Sequence, residues 1–303
     1  MSTTRVILLA NRGKEGVAEA VDRLRHYLRQ RATIVAEPDP NRLEARDAAA
    51  LPEADVAVVL GGDGTMLAAG RAMVDREIPL VGVNFGKVGF LAEFSLADLM
   101  THWDCLAAGR CRRSQRVMIE ARVFADGAPL WGLPTDGQPP ARPIFEAIAL
   151  NDAVVTAGPP YRMIDVEMVI DPTTGPPSPT PFSGDGVIVA TASGSTAYNL
   201  AAGGPIVSPL VDAIVVTPIC SYSLSFRPLV LAASSDVWLR LDRDNEGTAL
   251  VVDGQVARPL REGQQVHVRR HPRALHLVHN PELTYWSMLA SKMSWAARPR
   301  SSA

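Results

Sequence analysis

No stretch of the 303-residue chain approaches 18 consecutive apolar residues, so no segment reads as a membrane-spanning helix. The opening run MSTTRVILLANRGKEG has an apolar core too short for a signal peptide and no small-residue cleavage site, so a soluble, cytoplasmic protein is expected. Cationic excess is missing as well: 30 Lys and Arg against 32 Asp and Glu leave a net charge of −2, which sets aside nucleic acid as a partner. Cysteine is scarce. Cys105, Cys111 and Cys220 are odd in number and form neither C-x-x-C nor a metal-ligand spacing, so reduced, mostly packed thiols are expected and a disulfide framework is not. Both standard phosphate loops are absent: there is no G-x-x-x-x-G-K-[ST], and Gly82, Gly86 and Gly89 do not make G-x-G-x-x-G.

What is present falls into two grammars. Apolar runs RVILLA, ATIVA, ADVAVVL and IPLVGVNF alternate with helical spacing at Val17, Val21, Leu24 and Leu28 and again from Thr65 to about Arg76. That alternation predicts an α/β domain, a parallel sheet with helices over its faces. SLADLMTHWDCLAAG, with Ser95 as cap, continues it as a helix. Beyond about Gly109 come many short strands separated by Gly and Pro, among them IFEAIALNDAVVTAG, DGVIVATASG and ALHLVH, which predict a mainly β second domain. Two Pro/Gly-rich segments, Ala125 to Pro143 and Asp171 to Pro181, read as surface loops without regular structure. YWSMLASKMSW returns to helix with an apolar face fit for docking. The boundaries expected are 1–105 for the α/β domain, completed by 282–303, and 106–281 for the β-rich domain.

VVLGGDGTMLAAG, Val58 to Gly70, carries the chemistry. In an open parallel sheet ligands bind where strands end and helices begin. Glycines at Gly61, Gly62 and Gly64 let a ligand approach the backbone, and the helix N-terminus at Thr65 favours phosphate. Asp63 repels phosphate unless it holds a bridging cation or takes a proton from a hydroxyl that attacks phosphorus. Phosphoryl transfer to an alcohol follows, against the plainer reading of a tight turn in which Asp63 caps the helix.

A second glycine-rich stretch, DGVIVATASGSTAYNLAAGGPIVSP from Asp185 to Pro209, repeats the strand, polar turn and small-residue helix. With GGDGT, NFGKVGFL, ALND, PICSYSLSFRPLVL and VDGQ in the same order from about residue 5 to Trp295, the chain resembles the NAD kinase family. GGDGT alone is shared with lipid kinases and phosphofructokinases; the segment from Ser195 to Val207 makes the likeness specific. A lipid kinase and a non-catalytic NAD(P) sensor are the alternative readings, the first having no use for GSTAYNLAAGGPIV and the second none for Asp63.

The resemblance implies a Rossmann-like N-terminal domain, a β-rich C-terminal domain and a final helix that packs back on the first. It implies ATP, or another phosphate donor, with Mg²⁺ or another divalent cation, and NAD as acceptor. Asp63 matches the proton acceptor, and Asp63 and Gly64 contribute to the dinucleotide site. Asn151 and Asp152 match a pair that contacts NAD, Arg162 a basic position, and Asp185, Gln255 and the run Thr196, Ala197, Tyr198, Asn199, Leu200, Ala201 the remaining contacts. Gly61, Gly62 and Thr65 match the phosphate-donor side. A homodimer or homotetramer is implied, with the NAD site between the domains and partly at a subunit contact. Ala192 and Ser193 replace the family's Pro-Thr, and Ser183 stands where many relatives carry a basic residue. His267, His271, His276 and His279 lie close together in sequence, at spacings that suit strand faces better than zinc.

Overall fold

The computed structural model describes residues 3–13, 16–85, 89–133 and 141–293; Lys87 of NFGKVGFL and Trp295 lie outside them. The chain divides into two compact units, Met1–Gln115 with Leu275–Ala303, and Arg116–Ala274. Among the described residues no helix is long and apolar enough to cross a membrane.

The first unit runs β1 (Thr4–Ala10), α1 (Val17–Leu28), β2 (Ala32–Ala36), α2 (Ala45–Ala49), β3 (Val56–Leu60), α3 (Asp63–Met73), β4 (Leu80–Val83), α4 (Leu96–Thr101) and α5 (Trp103–Ala107). β1 pairs in parallel with β2 and β3, and β3 with β4. All five residues of β3 are buried, as expected for a strand covered on both faces. α1 buries Val17, Ala20, Val21, Leu24 and Leu28, one stripe of a 3.6-residue period. Ser95 accepts from the Asp98 N–H at 3.1 Å while Asp98 accepts from the Ser95 N–H at 2.9 Å, a capping box that starts α4. The single helix expected from SLADLMTHWDCLAAG is broken at His102, whose backbone leaves the helical region. α2, in a stretch with no helical reading, was not anticipated.

The sheet takes two more strands, β5 (Arg113–Arg116) and the chain's last strand, Leu275–Val278, in the order β2-β1-β3-β4-last-β5. Leu277 faces Leu80 in a parallel pair, and Val278 joins the core built on Val6, Leu24 and Val58. ALHLVH therefore serves the first unit, although it reads in sequence as one of the β-rich domain's strands. The last helix, Tyr285–Met293, buries Met288 and Leu289 and sets Tyr285 6.2 Å from the Phe90 ring, within the same unit.

The second unit is a sandwich of two six-stranded sheets. One contains β6 (Ile119–Phe124), β7 (Phe145–Ala149), β9 (Ile164–Ile170), β10 (Thr180–Gly184), β14 (Val237–Arg243) and β17 (Gln265–Arg270). The other contains β8 (Asp152–Thr156), β11 (Gly186–Thr191), β12 (Ala213–Ile219), β13 (Leu229–Ala232), β15 (Ala249–Val252) and β16 (Val256–Pro259). Neighbours are antiparallel throughout, for example β9 with β14 and β8 with β11. Alternate residues such as Ile164, Val166 and Met168 of β9 and Val187 and Val189 of β11 point into one shared core. The run IFEAIALNDAVVTAG turns a corner at Leu150 and Asn151, so that β7 lies in one sheet and β8 in the other. A short helix, α6 (Tyr198–Ala201), follows β11.

Cys105 is half-buried and Cys111 buried, in keeping with mostly packed thiols, while Cys220 is exposed. Two expectations change. Thr180 and Pro181, read as loop, open β10, because they can pair with Met168 and Glu167 of β9. The segment Ala125 to Pro143 is more than a surface loop in its described part. Trp131 is 5 % exposed and packs with Phe124, Val169 and Trp238 on the outer face of the sheet. Its N–H donates to Oε1 of the buried Gln265 at 2.8 Å, and Gln265 Nε2 donates to the Ala128 and Pro129 carbonyls. Trp131→Ala is accordingly expected to cost about 3 to 5 kcal/mol of stability in urea unfolding. A loss below about 1 kcal/mol would return the segment to a tolerated insertion.

Candidate active site

Gly62 is the N-cap of α3, and Asp63 is the first helical residue. The Asp63 side chain reaches across to the segment before Phe94. Oδ2 accepts from the Phe90 N–H at 3.0 Å, and Oδ1 from Leu91 and Ala92 at 3.1 and 3.2 Å. Gly89 lies so close that a Cβ there would overlap the Asp63 carboxylate, which only glycine avoids. A carboxylate offers about four acceptor positions. Three are engaged, and among the described residues the remaining one is on Oδ2. Asp63 is thus a rigidly aimed acceptor, and its bonds go to a distant segment rather than to its own helix.

The glycine turn is partly committed to the fold. The Gly61 N–H donates to the Val83 carbonyl and extends the sheet, and the Thr65 N–H donates to the Gly62 carbonyl and closes the first turn. Thr65 is fully buried and Gly64 exposed. Two of the three positions expected on the donor-phosphate side, Gly61 and Thr65, therefore have their amides turned inward. Among the described residues no three His, Cys, Asp or Glu side chains gather at a common point.

In the second unit three turns converge at the corner between the sheets. Asp253, in the turn after β15, is buried, with φ 50°. Its carboxylate accepts from the N–H groups of Leu150 (3.1 Å), Asn151 (2.7 Å) and Asp152 (3.3 Å). The Asn151 carbonyl accepts from the Thr191 N–H at 2.8 Å, and Thr191 Oγ1 donates to the Leu150 carbonyl at 2.5 Å. Gly194 sits against the Asn151 carbonyl where a Cβ would overlap it. Asn151, Asp152, the Thr196–Ala201 run and Gln255 are thereby brought to one end of the sandwich. The Asn151 side chain has no hydrogen-bond partner among the described residues, and Tyr198 is exposed. The sequence reading names VDGQ for Gln255 and not Asp253, whose role shows only in the three amides that surround it.

Asn199, expected among the ligand contacts, is instead structural. Both amide hydrogens are taken by the Ser195 and Pro205 carbonyls at 2.9 and 3.0 Å, and Oδ1 accepts from Thr217 at 2.6 Å. The residue is fully buried, so it holds the turn that presents its neighbours.

Arg162 and Asp185 lie elsewhere. Asp185 precedes β11, whereas Gly194 to Ala201 follow it, and six residues of strand separate the two ends by about 20 Å. The Asp185 carbonyl accepts from Ala157, and its side chain bonds the exposed Cys220 thiol, which raises that thiol's pKa. Arg162 is exposed on a loop whose carbonyls at Gly158 and Arg162 are held by Asn245 Nδ2 at 3.0 and 2.8 Å. Ser183 donates to Asp165 at 2.6 Å, and Asp165 pairs with Arg243 at 2.8 Å, so the position is already engaged with an acid.

An acceptor carboxylate on a glycine turn of a parallel sheet, with an antiparallel sandwich that carries a corner of polar turns in the same chain, suits a phosphotransferase that acts on a nucleotide, and the known proteins that the chain resembles are of that class. The ATP-NAD kinase N-terminal domain matches residues 6–111 and the ATP-NAD kinase C-terminal domain residues 150–280. NAD kinase from Heliobacterium modesticaldum is 38% identical over 304 residues, 97% of this chain and 99% of its own. NAD kinase from Rhodopirellula baltica is 32% identical over 294 residues, covering 97% and 88%. In fold, the chain is similar to a yeast NADH kinase solved with NADH (TM-score 0.83, 24% identity, 99% and 90% covered). It is also similar to an Archaeoglobus fulgidus NAD kinase solved with ATP (TM-score 0.71, 22% identity, 96% and 98% covered). The chain belongs to the ATP-NAD kinase family.

Asp152 gives this corner a pH signature. Burial first, and the neighbouring Asp253 charge second, push it from an ordinary 3.8 up to about 7. The folded protein holds this proton more tightly than the unfolded chain, so the stabilisation is complete below about pH 4 and is lost as pH rises through about 7. Asp152→Asn should flatten stability across that window and exceed the parent at pH 8 by roughly 1 to 4 kcal/mol. Urea unfolding at pH 5 and pH 8 measures it; equal slopes for parent and variant would contradict the assignment.

Proposed function

We propose that the protein phosphorylates the 2′-hydroxyl of the adenosine ribose of NAD, with ATP as donor, to give NADP. The observation that carries this reading is the Asp63 carboxylate, aimed by three backbone N–H groups with one acceptor position left on Oδ2. Asp63 Oδ2 takes the hydroxyl proton as the oxygen attacks the terminal phosphorus. The bond from that phosphorus to the bridging oxygen breaks, and ADP leaves with the electron pair. Gly62 and Asp63, at the start of α3, supply the amides and the helix dipole for the donor phosphates, since those of Gly61 and Thr65 are used in the fold. A donor other than ATP, such as polyphosphate, would meet the same amides.

Mg²⁺ bound to the donor would neutralise charge on the transferring group. Among the described residues this turn carries no carboxylate besides Asp63, whose open oxygen is assigned to the proton, which fits an ion that keeps its waters and rides mainly on substrate phosphates.

Recognition of the nucleotide rests with the corner of the second unit. The Asn151 amide can donate to and accept from ribose hydroxyls or the adenine edge, and the Tyr198 ring supplies a flat apolar face. Asp152, its pKa raised to about 7, keeps a protonated fraction at neutral pH that can donate to the ligand as a neutral acid. The amides and short side chains of Thr196, Ala197, Leu200 and Ala201 give close approach, with Gln255 completing this corner; Gly64, exposed beside Asp63 in the first unit, is assigned to the dinucleotide there. Arg162 and Asp185 stand a strand's length away, and we assign them to the ligand of a second copy in a homodimer or homotetramer. The reading places the enzyme in the cytoplasm.

Asp63→Asn keeps the shape of the side chain and removes the proton acceptor. kcat for NADP formation should fall about 10² to 10⁴-fold while the NAD dissociation constant shifts little. Partial recovery at high Mg²⁺ would mark Asp63 as a metal ligand instead, and near-normal turnover in a folded variant would return GGDGT to a turn. Asn151→Ala should chiefly weaken NAD binding, by about 1 to 3 kcal/mol in calorimetry. An unchanged affinity would remove Asn151 from the site.

A further inference from the structure

The three amides that hold Asp63 belong to Phe90, Leu91 and Ala92, and the residue after them is a buried acid. Glu93 is 3 % exposed and uses both carboxylate oxygens. Oε1 lies 2.8 Å from His279 Nδ1, and Oε2 accepts from the Asn280 N–H at 3.0 Å. Asn280 Nδ2 also donates to the Glu93 carbonyl at 3.3 Å. On its other side His279 Nε2 lies 2.6 Å from Ser114 Oγ, and its own N–H donates to the Arg112 carbonyl at 2.9 Å. A carboxylate only accepts, so Nδ1 carries a proton; Nε2 is then free to accept from the Ser114 hydroxyl. His279 and Asn280 follow directly on the last strand, and the helix beyond them sets Tyr285 and Lys292 against the Phe90 ring. All these residues lie in the first unit.

A buried acid and histidine are an inefficient source of stability, because removing both from water costs about what their attraction returns, and well-packed apolar residues do as well or better. What such a pair supplies is a fixed geometry. Here the geometry fixed is that of the segment that aims Asp63. We propose that Glu93 and His279, with Asn280 and Ser114, form a positioning clamp through which the C-terminal return segment holds the Phe90–Ala92 amides on the Asp63 carboxylate. The clamp touches no substrate. It sets which oxygen of Asp63 retains an open acceptor position, and this consequence rests on the general-base reading above.

Two substitutions at one position separate positioning from mere filling of space. His279→Asn retains an amide nitrogen where Nδ1 stood and can still donate to Glu93. His279→Gln fills more of the cavity but places its nitrogen near the Nε2 position, towards Ser114, and abandons Glu93. Amide exchange followed by NMR on the full chain, with kcat and the KM for NAD measured alongside, reads the result. In His279→Gln, exchange at Phe90, Leu91 and Ala92 should quicken about tenfold or more while Leu8 and Val58 in the central strands keep their protection. kcat should fall about 10 to 100-fold with KM within about twofold. His279→Asn should stay within about threefold of the parent on both counts. Glu93→Gln, which keeps one acceptor oxygen where the parent uses two and so cannot accept from both His279 Nδ1–H and the Asn280 N–H, should move in the same direction as His279→Gln and serves if that variant does not fold.

Unchanged exchange at Phe90–Ala92 in His279→Gln or Glu93→Gln would overturn the clamp, as would a ranking of Asn and Gln by volume alone. Faster exchange without a fall in kcat, in a parent that makes NADP, would overturn its catalytic bearing and leave the kinase reading intact. A parent that makes no NADP would overturn the kinase reading, and the exchange data would still decide the clamp.

Discussion

Each unit fixes its polar site through the same interaction, a carboxylate on a glycine-containing turn that accepts the N–H groups of three consecutive residues from a distant segment. Asp63 holds Phe90, Leu91 and Ala92; Asp253 holds Leu150, Asn151 and Asp152. Such charge-assisted bonds are roughly twice as strong as neutral ones, and three from adjacent residues define both the place and the direction of the backbone they hold. The arrangement demands close approach. Gly89 beside Asp63 and Gly194 beside the Asn151 carbonyl are the positions where a side chain would not fit.

The two carboxylates nevertheless end in different circumstances. Asp253 is buried, and its charge falls on a second acid, Asp152, whose proton it helps to retain. Asp63 is half-exposed at a helix N-terminus and keeps an acceptor position on one oxygen. The same device therefore yields a buried scaffold in one unit and a directed acceptor in the other. β11 adds the third constraint: as a rigid strand it holds Asp185 apart from the Thr196–Ala201 turn, so both cannot meet one small group within the same corner.

Much of this was legible in the sequence because it is written in local periodicity. The parallel sheet followed from buried runs alternating with helical stripes, and the sandwich from short strands separated by turns. The importance of Asp63 followed from a charge placed on a glycine hinge. What escaped depends on contacts remote in sequence. Leu275–Val278 joins the first sheet through a partner almost two hundred residues earlier, and an alternating apolar strand carries no mark of the sheet that will accept it. Trp131 looked like part of a loop because its partners Phe124, Val169 and Trp238 are scattered along the chain. Asn199 enters the expected ligand contacts only through the run Thr196 to Ala201 that the resemblance marks, whereas here Ser195, Pro205 and Thr217 take both donors of its side chain and one acceptor position. Asp253 and Glu93 were passed over for a related reason: a buried acid is recognisable only once the amides that surround it are known.

The central claim is that Asp63 is aimed by backbone amides so that one oxygen receives the acceptor's proton. A crystal structure of the protein with NAD and a non-hydrolysable ATP analogue tests it most directly. The account predicts the ribose 2′-hydroxyl within about 2.6 to 3.2 Å of Asp63 Oδ2, with the Phe90, Leu91 and Ala92 N–H bonds still in place. A 2′-hydroxyl held by another group, or an Asp63 carboxylate swung away from those amides in the ternary complex, would contradict it.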